Sequence, residues 1–136
     1  MRLEIRTFLY PKENVSYLTT SATMKDALEC LAQCQFTAIP IIDEAGKYVG
    51  TLSEGDLLWK LRDTPGLTFD NLHTVKVTEI RKRIYNESVR IDADFDDMLT
   101  LAADQNFVPV VDDAGVFLGI IRRKDIIEYY TRSISD

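Results

Sequence analysis

A seven-residue stretch occurs twice in this chain, as Gly50-Thr51-Leu52-Ser53-Glu54-Gly55-Asp56 and as Gly119-Ile120-Ile121-Arg122-Arg123-Lys124-Asp125. Each copy follows the same preamble, Ile39-Pro40-Ile41-Ile42-Asp43-Glu44-Ala45-Gly46 and Val108-Pro109-Val110-Val111-Asp112-Asp113-Ala114-Gly115. Pro40 and Pro109, Gly46 and Gly115, and Asp56 and Asp125 are all 69 residues apart. A constant offset of this kind marks a structural repeat, and it limits the fold more tightly than any single helix or strand does. The glycines and aspartates match, but Ser53 of the first copy is Arg122 in the second.

The local patterns give each half the same order. Residues 15–18 form a short β-like run, and the hydroxyls of residues 19–23 suit the cap of a helix from about Met24 to Gln33. Met24, Ala27, Leu28 and Leu31 form its apolar face. Residues 39–42 are a continuous β-branched run, as in a strand covered on both faces. Pro40 cannot donate to a ladder, so it is expected at the strand start or on an edge. Residues 43–46 turn the chain back through 48–52, and Ser53 with Asp56 caps a helix carrying Leu57, Leu58, Trp59 and Leu61. The second half repeats this with a strand at 88–91, a helix capped by residues 92–94, a strand at 108–111, a turn at 112–115, a return strand at 116–121 and a last helix from Lys124. Leu28 matches Leu99 at an offset of 71, so the connection from first helix to strand is two residues shorter in the second repeat.

The expected class is therefore α+β: two β-α-β-β-α repeats, each too short to bury a good core alone, packed about a pseudo-two-fold axis. The boundaries are an N-terminal arm at 1–14, repeat 1 at 15–63, a linker at 64–82, repeat 2 at 83–132 and a tail at 133–136. In the arm, residues 7–10 are apolar and are expected to pack on the domain before Pro11 breaks the run. Within the linker, some helical structure is expected between Leu67 and Leu72.

The net charge of −6 repels polyanions, which argues against DNA or RNA as a partner. No apolar run approaches a membrane span, and the N-terminus lacks a signal-peptide core, so a cytoplasmic protein with no membrane partner is expected. Cys30 and Cys34 lie four apart on a helix without further ligands nearby, and they read as small helix residues. The one histidine, His73, falls in the linker. With no catalytic Cys–His pair, no Ser–His–Asp set and one lone histidine in a linker, a small hydrolase finds no support.

The two copies of the pattern, with the Ala27-Leu28 and Phe107 positions that precede them, resemble a tandem pair of CBS domains (a Bateman module) over about residues 8–132. The resemblance implies a non-catalytic regulatory fold with no catalytic cofactor or metal. It implies adenosine ligands in the cleft between the repeats: AMP, ADP or ATP, and in some members S-adenosylmethionine or cyclic di-AMP. It implies that the motif aspartate holds ribose hydroxyls and that the Ser/Thr three residues earlier contacts phosphate. Arg122 departs from that pattern. The segment 36–40 with the basic run 122–124 is similar to stand-alone CBS pairs of Gram-positive bacteria that sense cyclic di-AMP.

In such modules the aspartate of one repeat faces the pre-proline segment of the other. That implies a main site of Val15, Ser16, Tyr17, Phe36, Thr37, Ala38, Ile39 and Pro40 with Arg122, Arg123, Lys124 and Asp125. A second site would join Ser53 and Asp56 with Ser88, Val89, Asn106, Phe107 and Val108. Three cations in the first turn oppose the helix dipole by about 0.3–1 kcal/mol each, a strain that an anion between the arginines relieves. The alternative is that Arg123 and Lys124 are solvated and Arg122 pairs with an acid such as Asp43 or Glu44. For Ser53 and Asp56, capping alone explains both residues, and Glu54 disfavours phosphate there. The run Arg81-Lys82-Arg83 reads as solvated surface. Trp59, Tyr129 and Tyr130 read as core or dimer contacts. A homodimer and a separate effector protein complete the expected partners.

Overall fold

A computed structural model describes residues 3–34, 37–82 and 85–135 of the chain, with side chains as far as 132. Phe36 and Arg83 lie outside the described residues. The chain divides into two compact units, Ser16–Tyr85 on the one hand and Met1–Val15 with Asn86–Asp136 on the other.

The unit Ser16–Tyr85 holds β2 (Leu18–Thr19), α1 (Met24–Gln33), β3 (Ala38–Ile42), β4 (Tyr48–Ser53) and α2 (Glu54–Asp63). Its sheet runs β2-β3-β4, parallel then antiparallel. Helix α1 begins where Thr23 and Asp26 cap each other: Thr23 Oγ1 accepts from the Asp26 amide at 3.2 Å and Asp26 Oδ2 from the Thr23 amide at 2.9 Å. Met24, Ala27 and Leu31 are buried, as the periodicity requires, but Leu28 is 37% exposed. The expected four-residue face is thus a three-residue one. Leu28 instead lines an apolar groove of about 310 Å³ with Leu57, Leu58, Leu61 and Phe69.

The stretch expected as a linker is built into this unit. Leu72, Val75, Val77 and Ile80 are buried with Met24, Ala27, Ile39, Leu52 and Leu57 in one cluster. Short 3₁₀ turns at Leu72–Thr74 and Val77–Glu79 carry them, beyond the 67–72 span in which helix was expected. The Met24 amide donates to Val75 O at 2.7 Å and the Val77 amide to Ala22 O at 3.0 Å, which satisfies backbone groups at the start of α1.

The second unit holds β1 (Tyr10–Pro11), β5 (Val89–Arg90), α3 (Phe95–Asp104), β6 (Phe107–Val111), β7 (Phe117–Arg122) and α4 (Arg123–Ser135). Its sheet is β1-β7-β6-β5. The N-terminal arm therefore adds an edge strand to the second repeat, with Tyr10 opposite Ile120 and Pro11 opposite Gly119. Ile5 and Phe8 enter the core with Met98, Val108, Val110 and Ile121. Phe8 stacks on Phe95 at 5.0 Å between ring centroids and meets Tyr129 edge-on at 4.9 Å. Asp94 is the N-cap residue of α3 but makes no side-chain cap bond, unlike Thr23 and Ser53.

Pro40 sits in mid-strand, not at a strand start or an edge as expected, and Pro109 sits at the equivalent place. The Glu54 amide donates to Thr37 O, so hydrogen-bonded pairs to β4 fall at residues 37, 39 and 41, and the missing donor of Pro40 faces β2. The β2 ladder begins only at Ile41, and the β5 ladder only at Val110, one residue past Pro109. A central strand tolerates proline here because its neighbour starts late. Asp43 and Asp112 close identical turns, each Oδ1 accepting two amides, with Gly46 and Gly115 at φ 85° and 86°. Four residues join α1 to β3 and two join α3 to β6, the expected difference.

Candidate functional site

In both repeats the motif residues lie where the return strand becomes a helix. Ser53 caps α2: its Oγ accepts from the Asp56 amide at 3.2 Å, and Asp56 Oδ2 accepts from the Ser53 amide at 2.9 Å. Asp56 is 2% exposed. At the matching junction the Arg122 amide donates to Asp125 Oδ2 at 3.0 Å, so half of the same box is kept. The other half is lost with the hydroxyl. The arginine side chain folds back instead, with Nε 2.9 Å from Oδ2 and Nη2 2.6 Å from Oδ1 of Asp125. This is a bidentate, charge-assisted pair between side chains only 19% and 15% exposed. The hydrogen bonds to Asp125 push the Arg122 guanidinium further up from its ordinary range, against the effect of burial. Its Cζ lies 3.7 Å from the centroid of the Tyr10 ring.

The three cations thus have separate fates. Arg122 pairs with Asp125, not with Asp43 or Glu44. Arg123 donates from Nε to Ala102 O at 2.8 Å and from Nη2 to Ala103 O at 3.2 Å, at the C-terminus of α3 where carbonyls and dipole both favour a cation. Lys124 makes a loose, exposed contact with Glu128 at 3.9 Å. The unfavourable charge expected at the start of α4 is relieved inside the chain, by a carboxylate and by another helix's carbonyls. An anion is not required for that purpose.

Within each unit the remaining candidates gather at the same end of the sheet as the motif. Ala38 pairs with Ser53, and the Leu18–Ile41 register carries Ser16 and Tyr17 alongside the start of β3, beside Ile39 and Pro40. Phe107 pairs with Arg122, and Val108 with Ile121. The Val89–Val110 register brings Ser88 beside this segment, and Asn106 precedes it. The local neighbours of Ser53 and Asp56 are therefore residues 37–40, and those of Arg122 and Asp125 are residues 106–108. Val15 falls in the other unit from Ser16. A cavity of about 240 Å³ borders Asp56, Trp59, Lys60 and Arg81, and one of about 160 Å³ borders Asp125, Phe8 and Tyr129. Both fall short of the roughly 300 Å³ at which small-molecule sites begin.

Sequence reasoning missed Gln105. Its side chain is buried, with Oε1 accepting from the Glu87 amide at 2.7 Å and Nε2 donating to Glu87 O at 3.0 Å and Phe107 O at 3.1 Å. It ties the approach to β5 onto the start of β6. Gln105 is the C-cap of α3, as Cys34 is of α1, and that exchange of a thiol for an amide was the available signal. Lys82 also departs from the solvated surface that its basic run suggests. It is half-buried, with its side chain over Gly50. Among the described residues no helix is long and apolar enough to cross a membrane.

Comparison with known proteins fits this architecture. The CBS domain matches residues 5–63 and 77–132. The chloroplastic CBS domain-containing protein CBSX2 of Arabidopsis thaliana is 25% identical over 144 residues, covering 88% of this chain and 60% of its own length. The chain thus spans about 60% of the length of the curated relatives it matches. The crystal structure of CBSX2 in complex with AMP superposes with a TM-score of 0.69 at 25% identity, covering 95% of this chain and 96% of that one. CbpB in complex with c-di-AMP shares the fold, with a TM-score of 0.86 at 24% identity over 98% of this chain and 88% of that one. With both copies of the motif at equivalent strand-to-helix junctions, the chain belongs to the CBS-domain family as a tandem pair of its repeats.

Proposed function

We propose that this chain is a non-catalytic regulatory module that binds an adenine nucleotide and passes its occupancy to a separate effector protein. The observation that carries the reading is the pair of carboxylates, Asp56 and Asp125, third in the first turn of equivalent helices in a tandem CBS pair. The AMP complex of CBSX2, a relative of similar sequence, supports an adenine ligand. Asp125 is the proposed ribose carboxylate of the main site, with Arg122 toward phosphate. Asp56 with Ser53 serves the second. Backbone groups around 37–40 and 106–109 are the proposed partners of adenine. The reading also includes a homodimer: Leu58 on α2 and Ile127 on α4, equivalent in the repeat, are 65% and 64% exposed, and both leave an apolar helix face uncovered.

A thermal-shift series with AMP, ADP, ATP, S-adenosylmethionine and cyclic di-AMP tests the function. A ligand at 100 times its Kd adds about 2.7 kcal/mol of stability. Asp125→Ala should abolish the response of the main site. No stabilisation by any adenine ligand would defeat the reading and leave a structural dimerisation module. Sedimentation velocity tests the dimer, and a monomer at micromolar concentration would exclude it.

A further inference from the structure

We propose that Arg122 competes internally for the carboxylate of Asp125, so that this site admits adenosine ligands that carry a phosphate and rejects those that do not. The inference rests on Asp125 being the ribose carboxylate of the proposed function.

Both Asp125 oxygens are engaged by the guanidinium, at 2.9 and 2.6 Å, and Oδ2 also accepts from the Arg122 amide. A ribose diol that takes this carboxylate must displace at least one of those side-chain bonds. The diol offers neutral donors in exchange for a bidentate ionic pair, and the freed guanidinium keeps its charge at a site where the side chain is only 19% exposed. Adenosine alone provides nothing for that cation. A ligand phosphate does: it accepts the same planar fork that the carboxylate released, so one charge-assisted pair is exchanged for another. The Tyr10 ring, 3.7 Å below Cζ, gives the guanidinium a face on which to turn without losing its stacking partner.

The first repeat carries a different side chain at this position. Its equivalent residue is Ser53, whose hydroxyl accepts from the Asp56 amide and has no charge to abandon. The mismatch at the motif position therefore sets a guanidinium against one motif carboxylate and a neutral hydroxyl beside the other.

Isothermal titration of the full chain with AMP and with adenosine tests this, in the wild type, R122S and R122K. The wild type is expected to prefer AMP by about 100-fold. In R122S adenosine should bind about tenfold tighter than in the wild type while AMP weakens, and R122K, unable to hold Asp125 with a fork, should fall between. An arginine that merely contacts phosphate predicts weaker AMP with unchanged adenosine affinity in R122S. That result overturns the competition, as does a wild type that binds adenosine as well as AMP. If R122S does not give a native circular-dichroism spectrum, R122K carries the test alone, and adenosine affinity no tighter than in the wild type overturns the proposal. Absence of binding by every adenine ligand to the wild type defeats the functional reading itself, an outcome distinct from binding with unaltered discrimination.

Discussion

Gly119 stands directly against the main-chain carbonyl of Tyr10, and a Cβ at this position would overlap that oxygen. Its φ is 153°, outside the range that L side chains favour. This contact allows β1 to lie on β7, and so joins the N-terminal arm to the second repeat. Gly50, its partner in the repeated motif, has a different neighbour, the flexible end of Lys82. The same residue type at equivalent places in the repeat has two unrelated physical uses.

Gly119→Ala is accordingly expected to cost more than about 2 kcal/mol, since strain adds to displacement of the arm. Gly50→Ala needs only a side-chain shift of Lys82 and should stay within about 1 kcal/mol. Urea unfolding of both variants measures the difference, and equal midpoints would contradict the assigned contacts.

Gln105→Leu keeps the volume but strips partners from the Glu87 amide, Glu87 O and Phe107 O. The expected loss is about 2–3 kcal/mol. Hydrogen exchange at the Glu87 amide should accelerate in the variant, and unchanged protection would show that this tie does not hold the segment.

Arg123→Ala removes the cation that caps α3 and should destabilise by about 1 kcal/mol. Lys124→Ala, with only an exposed 3.9 Å contact, should change stability by less than about 0.5 kcal/mol. Thermal unfolding at low and moderate salt separates the two, and equal effects would remove Arg123 from its capping role.

Tyr48 donates to or accepts from Thr51 Oγ1 at 2.6 Å, and burial pushes its hydroxyl up to about 12, with the Thr51 bond acting the other way. A phenol whose proton is held more tightly in the folded state loses no stability below the unfolded value of 10.0. It loses stability as pH rises from there through about 12, because the unfolded chain ionises first. The melting temperature should fall over this window, and Tyr48→Phe should make the fall shallower. An identical alkaline slope in the variant would assign the loss to other groups.

The repeat, the strand and helix order, the caps at Thr23 and Ser53, and the shorter α3–β6 connection were all legible in the sequence. Each is a local property: glycine in a turn, a hydroxyl three residues before an acid, apolar spacing along one helix. The candidate site was legible only in part. The motif aspartates were found, and their placement at helix starts follows from the same capping logic.

What could not be read from the sequence were partnerships between residues distant along the chain. Nothing in residues 10 and 11 says that they pair with 119 and 120, and nothing in Arg123 says that it reaches the carbonyls 20 and 21 residues before it. Residues 72–80 look like a linker because their apolar positions lack helical or strand period, yet Leu72, Val75, Val77 and Ile80 all lie in the core of the first repeat. Two unequal copies of one supersecondary unit, and the mismatch of Ser53 with Arg122, follow from the order of the residues alone. What that mismatch does depends on contacts made by folding. The charge of Arg122 is balanced by Asp125 and stacked on Tyr10, because a half-buried cation takes whichever carboxylate and ring the fold brings within reach.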